Sequence, residues 1–199
     1  MLDLIRQRLG HLPPDPHQPL RDGALREAAV LMALTRAPDP SLVFIKRAEH
    51  LSSHGGQVAF PGGMWEPGDA SLLHTALRES EEEIALPPTA VEVIASLPVQ
   101  ATRFNVRVTP YVGFIPEGLA FVPELGELES VFQVPLSFLA DAGNLGAMEY
   151  ALPDGRYQVP CYSYEGYSIW GFTLHLVADV LEKTLDLRLP LDYKPLDRP

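Results

Sequence analysis

Three glutamates, Glu79, Glu82 and Glu83, stand in the run ALRESEEEIAL. On a helix their i, i+3, i+4 spacing places them on one arc of about 100°. Leu73, Ala76, Leu77, Ser80 and Ile84 fill the neighbouring arc, the face available to pack on a sheet. Carboxylates stacked a turn apart repel one another, and a charge run by itself is most often a solvated helix face. A compensating cation turns the repulsion into a site. Mg2+ or Mn2+ takes carboxylate oxygens and keeps positions for water and phosphate oxygens. Just upstream, a glycine-dense stretch from His54 to Gly63 ends in Gly62-Gly63, and glycine lets backbone approach an anion or metal closely. Loop and acidic helix together describe a site for a metal-bound polyphosphate.

The elements around that site can be read from periodicity and breakers. Asp69 to Leu86 is the clearest helix, with Asp69 as N-cap and Pro87-Pro88 as the stop. Ahead of it, the apolar runs AAVLMALT and LVFIKR flank a turn with two prolines, which predicts a hairpin. Strands are expected at about Val91 to Val99, Arg107 to Phe114 and Val131 to Val134, with a short helix over Leu136 to Asp141. Pro153-Asp154-Gly155 marks a hairpin between Met148–Leu152 and Tyr157–Tyr162. A last helix is expected from about Gly171 to Leu187, with Leu174, Val177, Ala178 and Leu181 on its apolar stripe. Strands before, between and after isolated helices imply an α/β layer structure with a mixed sheet. The expected division is an N-terminal helix and connector over 1–22, a main domain over 23–189, and a polar, proline-punctuated, partly mobile tail over 190–199.

Composition bounds the rest. A chain of 199 residues, 46% hydrophobic and 21% charged, can bury one real core and is not disordered. With 26 acidic against 15 basic residues, non-specific nucleic-acid binding is disfavoured. No apolar run approaches the roughly 18 residues of a membrane span, and MLDLIRQRLGHLPPDP lacks the basic and apolar regions of a secretory signal. The single cysteine, Cys161, rules out an intrachain disulfide and a cysteine-rich zinc cluster, so a reducing, cytoplasmic setting is expected. No GxxxxGK[ST] occurs, which excludes a P-loop ATPase. Nothing in the sequence sets an oligomeric state.

Gly63 to Leu86 resembles the Nudix box, G-x5-E-x7-R-E-U-x-E-E-x-G-U, where U is bulky and aliphatic. Gly63, Arg78-Glu79, Glu82-Glu83 and Leu86 match it. Asp69 replaces the first glutamate and stands one residue further from Arg78; Ser80 replaces an aliphatic residue, and Ala85 a glycine. The resemblance implies a Nudix fold, an α/β/α sandwich with a mixed sheet, and hydrolysis of a nucleoside diphosphate linked to another moiety. It implies Glu79, Glu82 and Glu83, with Gly63, as metal-site residues, and Arg78 as the arginine that orients a box carboxylate. An ion held there lowers the pKa of a bound water for in-line attack on phosphorus; Glu79, Glu83 or a loop glutamate is the base.

Ile45 to Gly63, IKRAEHLSSHGGQVAFPGG, is similar to the extra signature of the coenzyme A pyrophosphatase branch, [LT]-x-R-[SA]-x-x-L-x-x-H-x-G-Q-V-A-F-P-G-G. That branch also tolerates an aspartate at the box start and the longer gap. Coenzyme A carries a diphosphate and a ribose 3′-phosphate, so its binder needs fixed positive charge and anion-facing backbone. Lys46 and Arg47 can supply the charge, and His54 and Gln57 polar side chains on the loop; ordinary solvated or loop-holding roles stand beside these readings. Glu127, in GELESVFQVPL, resembles the branch's acidic residue near a V-P-L segment and joins the metal-site or base candidates. Ile169-Trp170-Gly171 with Thr173 resembles the segment opening the family's last helix, Trp170 reading first as packing and second as a stacking surface. His74, His175 and Cys161 read as structural. The leading expectation is an enzyme cleaving coenzyme A, with a small-molecule substrate as its partner. A broader Nudix hydrolase of ADP-ribose or dinucleotides is the alternative. A non-catalytic nucleotide sensor is disfavoured, because all three box glutamates are present.

Overall fold

In a computed structural model that describes residues 1–19, 26–152 and 154–196, the first element is helix α1 (Leu2–Leu9). Its Ile5 and Leu9, one turn apart, are fully buried. The expected hairpin forms from β1 (Arg26–Thr35) and β2 (Ser41–Arg47), antiparallel with Leu34 opposite Leu42. The two strands then splay, and the glycine-dense stretch fills the opening. There β3 (Val58–Ala59) pairs with Ile45 and Lys46 of β2, and β4 (Gly62–Met64) pairs with Ala28 to Val30 of β1.

Helix α2 (Leu72–Ile84) lies against β1 and β4. After it come β5 (Glu92–Ser96), β6 (Gln100–Ala101) and β7 (Val106–Ile115); β7 runs parallel to β1 along its whole length, from Arg26 opposite Val106 to Thr35 opposite Ile115. β8 (Leu128–Pro135) covers the far edge of β2. One parallel pair among antiparallel neighbours makes this eight-stranded sheet mixed. Helix α3 (Leu136–Ala140) leads to a second, four-stranded sheet of β9 (Leu145–Leu152), β10 (Gly155–Tyr164), β11 (Tyr167–Trp170) and β12 (Lys194–Pro195). Helix α4 (Gly171–Leu185) runs between β11 and β12.

Alternation along β1 explains the layers. Ala29, Leu31 and Ala33 face one side, packing with Leu72, Ala76 and Ile84 of α2. Met32 and Leu34 face the other, packing with Ile5 and Leu9 of α1 and Leu174, Val177 and Leu181 of α4. A sheet apolar on both faces must be covered on both, and the result is an α/β/α sandwich. No helix among the described residues is long and apolar enough to cross a membrane.

The structure adds to and in one place corrects these expectations. Ile5 and Leu9 of the N-terminal helix enter the same core as the sheet. The cut drawn at 22/23 falls outside the described residues, as does Pro153, although the hairpin around it forms with Leu152 opposite Gly155. Within the described part of the expected tail, Lys194 and Pro195 pair with Gln158 and Tyr157, and Leu191 packs on the core together with Leu189. The N-cap of α2 is Ser71 rather than Asp69, its hydroxyl accepting from the His74 N–H.

Candidate active site

Displaced from the cap, Asp69 does something else. Its carboxylate, 1% exposed, accepts from Arg78 Nε at 2.8 Å, Arg78 Nη2 at 3.0 Å, the Thr75 hydroxyl at 2.8 Å and the Glu66 N–H at 3.1 Å. Arg78 holds it well below the usual carboxylate range, the His74 and Thr75 contacts adding to the effect. Arg78 then reaches forward. Nη2 donates to Glu79 Oε1 at 3.0 Å and Nη1 to Glu82 Oε2 at 2.8 Å, so one guanidinium ties three carboxylates to the start of α2. A planar fork of donors can do this where a lysine could not. The bond to Asp69, seated in the loop before the helix, is what locks the fork in place.

The glycine pair meets the helix from the other side. The Gly62 N–H donates to Glu83 Oε2 at 3.0 Å, at φ 149°, where a side chain would collide with the Ala29 carbonyl. A Cβ on Gly63 would lie 2.4 Å from the Glu79 carboxylate. These close approaches explain the two glycines.

Glu83 is 5% exposed, and burial pushes its carboxyl up to about 7; the Glu79 and Glu127 charges add to the rise, while the Gly62 N–H and Arg47 oppose it. Burial also raises Glu79, against Arg78. Arg47 Nη1 stands 3.8 Å from Glu83 Oε1. Glu127 is exposed at the turn before β8, tied by its carbonyl to the Ala48 N–H, and its charge acts on both Glu79 and Glu83.

Glu79 and Glu83, both raised by burial, offer oxygen-only donors, and such a pair suits a hard divalent cation. The set is not closed. Among the described residues no three such groups already stand as ligands, and Glu82, 60% exposed, is turned onto Arg78. Glu79 and Glu83 meet the Gly62-Gly63 backbone, Glu127 acts on both through its charge, and Glu82 is engaged by Arg78.

A cleft of about 900 Å³ opens at Gly62-Gly63 and runs past Arg47, His54 and Gln57. His54 Nδ1 lies 2.8 Å from Gln57 Oε1, and its ring meets Phe104 edge-on at 5.4 Å. Lys46, on the opposite face of β2 from Arg47, is not part of this lining. Its ammonium sits 2.9 Å from Glu129 and 3.5 Å from Glu49. Trp170 lines the cleft together with Tyr150, their ring centroids 4.4 Å apart. Thr173 anchors α4 to the Val58 carbonyl at 2.8 Å. His74 meets Asp69 and His175 the Gly171 carbonyl. The sequence reading passed over the Asp69 clamp and the lining residues Arg26, Arg103, Phe104, Tyr150 and Tyr193. For Arg103 and Phe104 the turn residue Asn105, at φ 59°, was a usable signal.

Residues 25–135 match the NUDIX domain. Relatives in Salmonella paratyphi B and Salmonella newport, each called uncharacterized Nudix hydrolase NudL, are 41% identical over 155 residues, 78% of this chain and 81% of theirs. The crystal structure of a MutT/nudix family protein from Enterococcus faecalis shares the fold at a TM-score of 0.53 and 15% identity, covering 85% of this chain and 66% of that one. With the domain matched over more than half its length and these relatives alongside, the chain belongs to the Nudix family.

Proposed function

We propose that the chain is a metal-dependent pyrophosphohydrolase that cleaves the diphosphate of coenzyme A, free, oxidised or acylated, into adenosine 3′,5′-bisphosphate and 4′-phosphopantetheine. The observation that carries this reading is the course of residues 45–63. That one stretch lines the cleft with Arg47, His54 and Gln57 and ends in the two glycines seated on Glu83 and Glu79. The segment resembling the coenzyme A signature therefore joins substrate cleft to carboxylate cluster.

In this reading Glu79, Glu83 and Glu127 hold Mg2+ or Mn2+, with Glu82 joining when it leaves Arg78. The chemistry such an ion supplies when bound is polarisation of phosphoryl oxygens and a water of lowered pKa. Arg47 faces the diphosphate from the cleft side, offering fork-shaped donors to its oxygens. Arg78 touches no substrate; it positions Glu79 and Glu82. Phe60 and the Val58–Ala59 strand line the cleft beside the glycine pair with apolar groups. A cytoplasmic setting belongs to the same proposal.

The test is a panel of coenzyme A, dephospho-coenzyme A, ADP-ribose and NADH with Mg2+ or Mn2+, products resolved by mass. Coenzyme A split into the two named products is the expected result. Faster turnover of ADP-ribose or NADH would overturn the specificity and leave a broader hydrolase.

A further inference from the structure

Although the chain carries a net charge of −11, no aspartate or glutamate among the described residues lines the cleft, while Arg26, Arg47 and Arg103 do. Arg47 is spoken for, since it faces Glu83 at the reacting end. Every other arginine among the described residues forms an ion pair with a carboxylate, save two: Arg26 and Arg103. Both unpaired guanidiniums therefore stand in a cleft whose described lining carries no acid. In a protein with surplus carboxylates, that is the pattern expected of a surface reserved for an anion.

Their positions along the cleft differ. Gly63 lies opposite Ala29, Ala29 opposite Thr109, and Gln100 opposite Val108, so β4, β1, β7 and β6 run side by side. At about 4.8 Å per strand, β6 stands roughly 14 Å from the glycine pair. Arg103 sits on the turn that follows β6. The ribose of an adenosine nucleotide and an extended arginine side chain can bridge that span together. Arg26, at the start of β1 and opposite Val106, lies between the two ends.

Arg103 also has a prepared setting. Its guanidinium lies over the Phe104 ring at 4.8 Å, and among the described residues its N–H donors meet no carboxylate. Phe104 is braced edge-on by His54. Facing this turn, Tyr150, Trp170 and Tyr193 supply flat apolar surface from β9, β11 and the segment before β12. A phosphate-reading fork beside aromatic faces is the chemistry that recognises a phosphorylated nucleoside.

We infer that Arg103 is the specificity-determining residue of this cleft, binding the ribose 3′-phosphate of the substrate while the base lies against the aromatic wall of Tyr150, Trp170 and Tyr193. This rests on the coenzyme A reading above and moves the 3′-phosphate contact from Lys46 and Arg47 to Arg103. Lys46 is held by Glu129 and Glu49, and Arg47 is at the reacting end.

Two arms test it on the full chain. In the first, kcat/KM is measured for coenzyme A and dephospho-coenzyme A. The wild type should prefer coenzyme A by about ten- to a hundred-fold, the worth of one charge-assisted contact. Arg103→Gln should shrink that ratio several-fold, mainly through KM for coenzyme A, and Arg103→Lys should recover part of it. Arg26→Gln should weaken both substrates together. In the second arm, calorimetry compares adenosine 3′,5′-bisphosphate with adenosine 5′-phosphate as ligands, with no turnover needed. Tighter binding of the bisphosphate that Arg103→Gln removes supports the assignment. A wild-type ratio near one in both arms, or an Arg103→Gln loss equal for both members of each pair, overturns it. If coenzyme A is not hydrolysed at all, the functional reading fails, and the calorimetric arm still decides whether Arg103 reads a 3′-phosphate.

Discussion

The carboxylate floor behind the glycine pair and the aromatic wall of the cleft that opens there are built on opposite plans. On the floor, every group is held several times over: Asp69 accepts from two side chains and a backbone N–H, Arg78 binds three carboxylates, and Gly62 and Gly63 touch Glu83 and Glu79. On the wall, Arg103 and Phe104 are exposed at a turn, and Tyr193 comes from the segment before a two-residue strand. The floor lies wholly in the matched domain, while Tyr150, Trp170 and Tyr193 lie beyond residue 135. Rigid placement suits charges that must meet a reacting phosphorus within fractions of an ångström. Selection among substrates tolerates a softer surface that can be exchanged without disturbing the floor.

If this contrast is right, a floor lesion acts on every substrate alike. Glu83→Gln should cut kcat/KM by about 10²- to 10⁴-fold on coenzyme A and any secondary substrate, while the protein stays folded. Full activity of this variant at limiting Mg2+ would sink the metal-site assignment. Removing the clamp should act on folding as well. Arg78→Met leaves Asp69 buried without its charge partner and should cost about 3 kcal/mol by denaturant titration; a loss below 1 kcal/mol would mean that the floor is less over-determined than its hydrogen bonds suggest.

The floor should also betray itself through pH when chelator keeps metal away. Glu83 has a folded pKa near 7, above its unfolded value. The folded state therefore binds the extra proton, and the stability linked to it is complete below about pH 4.5 and lost as pH rises through 7. Thermal stability in EDTA should fall between pH 5 and 8 by an amount on the order of 2 kcal/mol, and Glu83→Gln should flatten that slope. An equal slope in both proteins would assign the titration elsewhere.

Wall changes should be smaller and substrate-dependent. Trp170→Leu should lower kcat/KM for adenine-bearing substrates by about three- to thirty-fold, at one lost stacking contact of about 1–2 kcal/mol. An equal loss on a substrate lacking the base would make Trp170 packing alone. The smallest effect belongs to Ala85, which ends α2 in the left-handed region at φ 55°. Ala85→Gly should stabilise the protein by about 0.5–1 kcal/mol with kinetics unchanged.

Much of this was legible in the chain. The acidic arc of α2, the hairpin of β1 and β2 and the last helix all follow from period and breakers within short windows. Asp69 was misread because aspartate and serine are equally good caps; which of them caps depends on where Arg78 needs an acceptor. Lys46 and Arg47 looked interchangeable as charges, yet strand alternation sends them to opposite faces, and only Arg47 lines the cleft. The pairing of Lys194 and Pro195 with β10 went unread because two residues of strand carry no periodic signal.

Residue type and local spacing determined which groups could do chemistry, since helix and strand geometry convert a spacing of a few residues directly into a face. The tertiary structure decided which of those groups meet. Gly62 on Glu83, Thr173 on Val58 and Tyr150 against Trp170 join segments separated by loops and strands whose pairing no local pattern encodes. Burial, too, is a property of the assembled layers. The same glutamate that reads as one of three equal acids becomes, once 5% exposed beneath a glycine strand, the one whose charge is hardest to hold.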